Sequence, residues 1–207
     1  MQSDPEEILE FWFGAAADDP ALAAARQAFW FGAAASEDVD AAVRQRFGRA
    51  VAAAARGDLH AWARAPRSAL ALVVLLDQFP RNIARGTANA FAHDAQALRV
   101  AKEAVTKGHL EKLAPLEQAF LVLPFEHSES VEDQREAVRL STAIALTAPA
   151  EWRPLLEEYL KFAKQHLALI ERFGRFPHRN QVLGRVPTAE EEAYLVAGGT
   201  TFGQQAH

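Results

Sequence analysis

The sequence predicts an all-α protein built from about eight helices that pair as antiparallel hairpins. Three observations predict this fold class. Apolar residues recur at the spacing of one helix face, as between Ser36 and Gly57. Residues that start and stop helices flank such segments. No stretch alternates apolar and polar residues with the period of a β-strand, so we expect no sheet.

Capping residues define the first and last helices. Asp4-Pro5-Glu6-Glu7 combines an N-cap, a proline in the first turn and an acid at the third helical position, and Gly14 is the expected stop. Thr188-Ala-Glu-Glu191 forms a capping box for a last helix that is expected to end at Gly198-Gly199.

A central buried helix is predicted by the continuous apolar run at 69–76. Pro66 is its expected start, and Pro80 is expected to end it near Phe79, because proline has no N–H to donate. The other expected helices cover about 36–57, 91–107, 115–123, 130–147 and 151–173.

Length and composition indicate one domain over residues 1–207, with a tail after about residue 198 that lacks regular structure. The net charge of -5 argues against a nucleic-acid partner. The absence of cysteine excludes disulfides and thiolate chemistry and fits a reducing cytoplasm. The acidic N-terminus does not resemble a secretion signal, and the longest apolar run is far short of the roughly 20 residues that span a bilayer. We therefore expect a cytoplasmic protein without a membrane or nucleic-acid partner; no pattern specifies an oligomeric state.

An Asp-Gln-Phe-Pro-Arg-Asn segment directly follows the apolar run. Asp77 needs a partner there, because an unpaired buried carboxylate is costly, and Arg81 is the nearest cation. One interpretation is a helix-terminal ion pair in which Asn82 caps the turn. The other is that Asp77 orients Arg81 to bind a carboxylate or phosphate, with Asn82 adding an amide hydrogen bond.

A second polar segment, Glu-His-Ser-Glu, lies between two expected helices. Glu129 is explained as an acid near a helix N-terminus, but capping does not explain His127, which Glu126 and Glu129 flank. A histidine beside carboxylates is typical of a general base or acid, and it is also common as a hydrogen-bonded structural residue.

The third segment, "RFGRFPHRN" at 172–180, repeats the Phe-Pro-Arg-Asn pattern. Arg172 and Arg175 are explained as cations at a helix C-terminus. The three residues that follow the proline are not explained in this way. The candidate ligand-binding residues are therefore Asp77, Arg81, Asn82, His93, Arg179 and Asn180, and the candidate catalytic residues are His127, Glu129 and His178.

Motifs for metals and cofactors are missing from the sequence. No His-x-x-x-His or His-Glu-x-x-His pair occurs, so we predict no metal site. Neither a phosphate-binding loop nor a dinucleotide fingerprint occurs, so we predict no cofactor.

Several of these segments also resemble a known family. The stretches "ILEFWFG", "LLDQFPRNIARGTANAFAHDAQAL", "LVLPFEHSES" and "IERFGRFPHRNQVLGR", followed by "TAEEEAYL", resemble the bacterial family called domain of unknown function 924. The resemblance runs from Ile8 to about Leu195. It implies a tetratricopeptide-repeat-like, right-handed array of helical hairpins, although no 34-residue period is readable here. It implies no activity.

Three functions fit the polar segments. The favoured one is a small-molecule site for a small polar anionic metabolite, at which hydrolysis or cleavage is left open. The alternative is a module that binds proteins, such as an acidic peptide, without catalysis. In a third, the two Arg-Asn turns only lock helix corners. The first predicts that Arg81, His127, Arg179 and Asn180 meet around a cavity of roughly a few hundred Å³.

Overall fold

The computed structural model describes residues 4–31 and 36–202, and within them the regular structure is helical with no β-strand. The predicted all-α class is therefore confirmed, whereas the tetratricopeptide-like stacking and the single domain stay predictions. The helices are α1 (Pro5–Trp12), α2 (Pro20–Ala25), α3 (Gln27–Phe31), α4 (Ser36–Arg56), α5 (Pro66–Val73), α6 (Phe79–Ile83), α7 (Asp94–Thr106), α8 (Pro115–Glu126), α9 (Val131–Thr147), α10 (Arg153–Phe173) and α11 (Ala189–Val196).

The expected caps start the first and last helices. The Asp4 carboxylate accepts a hydrogen bond from the N–H of Glu6 at 3.0 Å. At the start of α11, Thr188 and Glu191 exchange backbone-to-side-chain hydrogen bonds of 3.2 and 2.7 Å. Both helices end two residues before the predicted glycines. The short helices α2 and α3 were not predicted, because five or six residues are too few to show a helical period.

The prediction that Pro80 ends the central helix is wrong. One π-helical turn, Val74–Gln78, follows α5, and the chain continues into α6 with Pro80 in its first turn. In the π turn the N–H of Phe79 bonds to the carbonyl of Val74, five residues back. The missing N–H of Pro80 thus falls where the bonding register changes, at a position where proline is tolerated.

A second helix also continues past a proline. α8 continues past Pro124 to Glu126, although it was expected to end at about residue 123. Almost every residue of α8 is buried, and packing on all sides outweighs the loss of one backbone donor. His127 caps this helix, and its N–H bonds to Leu123. The π turn and the extended α8 therefore bring Asp77 and His127 inside the protein.

The core forms around the apolar run at 69–76, of which no residue is more than 3% exposed. The predicted central position of this run is confirmed. An aromatic cluster lies beside it, with Phe120 at ring-centroid distances of 5.0 Å from both Phe13 and Trp30. In the described part of the chain, no helix has the length and apolar character that crossing a bilayer requires.

Candidate functional site

Polar side chains from five elements meet at one place in the protein. Asp77 lies in the π turn and Arg81 in α6, Asp94 is the first residue of α7, His127 caps α8, and Arg179 lies in the 3₁₀ turn that follows α10. Each of these five residues is hydrogen-bonded to another member of the group. The predicted convergence is seen for Arg81, His127 and Arg179, whereas Asn180 bonds to Glu191 and lies outside this group.

Asp77 is fully buried and fixes the histidine. Its Oδ1 lies 2.7 Å from Nδ1 of His127 and 3.2 Å from Nη1 of Arg81, and the amide of Gln78 donates to its Oδ2. Burial by itself raises the pKa of Asp77, but Arg81 and His127 outweigh it and hold that pKa well below its usual range. The carboxylate is therefore ionised, and it accepts the Nδ1–H of the histidine.

His127 is neutral at physiological pH. Burial, followed by the nearby Arg81 cation, lowers the pKa of His127 below its ordinary value, while Asp77 opposes the shift. Because Nδ1 carries the proton, Nε2 carries the lone pair. Nε2 makes no hydrogen bond to the described residues, and His127 lines a cavity. This ring nitrogen is available as a proton acceptor.

The Asp94 carboxylate joins the two guanidinium groups. Arg81 donates to both of its oxygens at 3.0 Å, and Nη1 of Arg179 lies 3.4 Å from Oδ2. Arg81 also donates to the carbonyl of Asp77 at 2.6 Å, and Arg179 donates to the carbonyl of His127 at 3.1 Å. The cations are thus tied to the two elements that carry the Asp–His pair.

Arg179 has fewer partners than its burial demands. It is 6% exposed, its guanidinium lies over the rings of Phe91 and Phe176 at 4.6 and 4.4 Å, and its Nε is buried without a hydrogen-bond partner among the described residues. Burial lowers the pKa of Arg179 to about 10, and the Arg81 cation adds to that shift. The group remains charged at pH 7, although fewer of its N–H donors are paired than in a fully satisfied buried guanidinium.

The convergent residues line a cavity of about 70 Å³, which is smaller than the few hundred Å³ expected of a complete small-molecule site. A second cavity of about 430 Å³ with mostly apolar walls adjoins it. The first, called the polar cavity below, is lined by Trp30, Phe31, Gln78, Arg81, Asn82, Arg85, Phe91, His127, His166, Phe176, His178, Arg179 and Phe202.

Two further histidines line the polar cavity as neutral groups. Burial is the main cause that lowers the pKa of His178 and of His166 to about 3 each, with Arg179 adding to the first and His127 to the second. Nδ1 of His178 is buried and has no hydrogen-bond partner in the part of the chain that the structure describes. The ring of His166 stacks on Phe202 with centroids 3.6 Å apart. The predicted tail is thus held as far as Phe202, and residues 203–207 lie outside the described part.

Glu129 was predicted as a catalytic partner of His127, but its carboxylate is used elsewhere. It accepts hydrogen bonds from Arg185 at 2.7 and 3.1 Å and from the N–H of Phe176 at 2.9 Å. These contacts hold the loop after α10 against the start of α9. Glu129 therefore positions the loop that carries His178 and Arg179.

The remaining predicted ligand-binding residues lie at the border of the polar cavity or outside it. Asn82 borders the polar cavity, and its amide donates to Asp40 at 2.7 Å. The amide of Asn180 donates to Glu191 at 3.1 Å, away from the polar cavity. His93 is the N-cap residue of α7 and is not part of the lining. The two asparagines thus secure their turns against α4 and α11.

Sequence reasoning missed three contributors. Asp94 resembles an ordinary acid in the first turn of a helix, although it directly follows the candidate residue His93. Gln78 follows Asp77 directly and could have been assigned with it. His166 lies within the regular face of α10, where the pattern does not distinguish it from a core residue.

Within residues 4–31 and 36–202, no group of three or more His, Asp or Glu side chains is arranged to hold a metal ion.

Fold and site together define an all-α protein in which helix ends bring a buried Asp–His pair and two guanidinium groups to one cavity. The family model of bacterial proteins of unknown function, DUF924, matches residues 8–199, and the chain belongs to this family.

A solved structure is also similar to this chain. The protein of unknown function ATU0120 from Agrobacterium tumefaciens is 38% identical, with a TM-score of 0.76 over 94% of this chain and 97% of that chain. No curated protein matches the sequence.

Glu126, the last residue of α8, makes the free energy of unfolding depend on pH. It is 2% exposed, and burial together with the nearby Asp77 carboxylate raises the pKa of Glu126 to about 8. Between about pH 4.5 and 8 the folded protein therefore holds a proton that the unfolded chain has already released. Because the folded state binds the extra proton, the free energy of unfolding falls as the pH rises through this interval.

We expect Glu126→Gln to remove this loss. The stability of the variant relative to the unsubstituted protein should increase from pH 4.5 to pH 8, by up to about 5 kcal/mol at roughly 1.4 kcal/mol for each pKa unit. Urea unfolding at pH 5 and pH 8.5 measures the difference. The exposed Glu157→Gln in α10 is the control and should parallel the unsubstituted protein. Equal pH dependence in both variants would contradict the raised pKa of Glu126.

Proposed function

We propose that this protein binds a small organic anion in the polar cavity and that His127 acts as a general base in its hydrolysis or cleavage. The observation that carries the proposal is Arg179, a buried cation with an unpartnered Nε that lines the same cavity as His127. Guanidinium groups bind carboxylates and phosphates through charge-assisted hydrogen bonds.

The charge balance of the cluster indicates how an anion is accommodated. Arg81 and Arg179 are offset by Asp77 and Asp94, and His127 is neutral. An entering anion adds one negative charge, which raises the pKa of His127 and favours uptake of a proton at Nε2. Below this raised pKa the anion and a proton enter together, whereas above it Nε2 keeps its lone pair and can act as the base.

The Asp77–His127 pair has the arrangement of a general base. The carboxylate holds the ring in the tautomer whose Nε2 is basic, and it stabilises the imidazolium that forms when Nε2 takes a proton. In hydrolysis the proton comes from a water molecule that attacks the bound anion. In cleavage it comes from a C–H or O–H group of the anion itself. Both reaction types use the same residues.

The peptide-binding alternative receives less support from the geometry. A volume of about 70 Å³ admits a carboxylate or phosphate group and not a peptide segment. The convergent side chains also bond mainly to one another, whereas a peptide groove presents donors along an open surface.

A cytoplasmic location and the identity of any partner stay predictions.

Arg179→Met tests the binding of the anion. We expect this variant to bind acetate, succinate and inorganic phosphate about tenfold or more weakly in isothermal titration calorimetry, because a charged hydrogen-bond partner is lost. Arg172→Met is the matched control, since Arg172 is half-exposed and pairs with Glu190 at 2.8 Å. Equal affinities in the two variants, or no binding to the unsubstituted protein at millimolar concentration, would refute the anion site.

The titration of His127 tests the coupling to a proton. The pKa of His127 lies below its ordinary value in the free protein, mainly because the ring is buried, and it should rise with saturating acetate. The affinity for acetate should therefore increase as the pH falls through the pKa of the complex and level off below that of the free protein.

Histidine side-chain NMR measures this shift, with His127→Gln identifying the signal. Asp77→Asn should lower the pKa of His127 further, because a carboxylate 2.7 Å from the ring is lost. A His127 signal that does not respond to acetate would separate the histidine from the anion site.

The catalytic half of the proposal is tested with a panel of small carboxylate-bearing esters, amides and hydroxy acids. For a substrate that is turned over, His127→Gln should lower kcat by about 10²- to 10⁴-fold with little change in KM. The exposed His60→Gln is the control and should retain full activity. Activity that survives in His127→Gln would exclude this residue as the base, while leaving the binding of the anion intact.

A further inference from the structure

The apolar cavity shares a boundary with the polar cavity. Four residues line both: Phe31, His127, His166 and Phe202. A molecule whose charged end lies against Arg179 therefore reaches the apolar cavity by passing the rings of His166 and Phe202. Phe202 has a φ of +51°, a left-handed conformation that residues other than glycine adopt infrequently, and its ring is held on His166.

The walls of the apolar cavity suit a hydrocarbon chain. Leu123 comes from α8, and Leu155, Tyr159 and Phe162 come from α10. Its deepest polar group, Glu126, is buried and protonated at neutral pH, so it adds no charge that would oppose an apolar occupant. The amide of Gln27, from α3, is bonded to the Tyr159 hydroxyl at 3.3 Å. The buried polar groups of the lining are thus neutral, and the one further carboxylate of the lining, Glu158, is 60% exposed and pairs with Lys161 at 3.3 Å.

The volumes of the two cavities assign different parts of one ligand to them. About 70 Å³ holds an anionic head group, whereas ligand sites in proteins typically measure roughly 300 to 1,000 Å³. The adjoining 430 Å³ supplies the missing volume, and it is apolar. We infer that the ligand is an amphipathic monocarboxylate, with its carboxylate at Arg179 and its aliphatic chain along Leu123, Leu155 and Phe162. This inference rests on the proposed function, because it requires the anion site.

Chain length is the first test. Acetate, butanoate, hexanoate and octanoate are titrated into the full-length protein by calorimetry. Affinity should increase about two- to fourfold for each methylene group, as expected for burial of a CH₂ group from water. Arg179→Met should weaken the whole series by a similar factor, because the head group is the same in each member.

Filling the cavity is the second test. Leu155→Trp places a larger side chain in the apolar cavity and should abolish the gain between butanoate and octanoate, while acetate binds as before. Leu146→Trp is the matched control, since Leu146 is 72% exposed on α9. Phe162→Ala, at a half-exposed wall residue, is the second variant if Leu155→Trp does not fold; it should reduce the octanoate gain severalfold, with Leu146→Ala as its control.

The outcomes distinguish this inference from the proposal on which it rests. Acetate binding that depends on Arg179 without any effect of chain length overturns the amphipathic ligand and leaves the anion site in place. Octanoate binding that is unchanged in Arg179→Met also overturns it, because the carboxylate would then lie elsewhere. Failure of every carboxylate to bind overturns both. A length-dependent gain that Leu155→Trp or Phe162→Ala removes supports the inference.

Discussion

The Asp94 carboxylate, shared by two buried guanidinium groups, is the interaction on which the arrangement of the site depends. It accepts two hydrogen bonds from Arg81 and one from Arg179, and so connects α6, α7 and the turn after α10. Without it two like charges would remain together in the interior, and breaking a buried ion pair by removing one partner typically costs about 3 to 5 kcal/mol. The same residues that line the cavity therefore also hold the helix ends together.

The backbone irregularities of the fold serve this arrangement. A regular helix through 74–78 would place Asp77 at a different angle, and the π turn sets it, fully buried, 2.7 Å from His127. π turns inserted in helices are frequent at functional sites. A buried carboxylate, three neutral histidines and a protonated glutamic acid are costly to maintain in a core. A ligand that uses these groups would explain why the protein maintains them. The site is therefore more informative about function than the fold is.

Much of the fold follows from local sequence, whereas less of the site does. Caps at Asp4 and Thr188 and the apolar run at 69–76 predicted helix starts and a central helix, because these depend on nearest neighbours. The continuation through Pro80 and Pro124 was not predictable, since packing around those helices outweighs a local rule. At the site, unexplained polar residues predicted that Arg81, His127, Arg179 and Asn180 would meet, and the first three do. Glu129 and Asn180 had the same polar character but found partners in Arg185 and Glu191, which no local pattern specifies.

The sequence by itself determined the all-α class, the family and the residues whose chemistry needed an explanation, because periodicity, capping and motif content are local properties. Only the tertiary structure decided which of those residues meet. It paired Asp77 with His127 and made Asp94 the bridge between Arg81 and Arg179, across 13 and 85 positions of chain. It also placed an apolar cavity next to a polar one. Those relations depend on how the helices pack, and the energy that selects them comes from burial over the whole domain and not from any one segment.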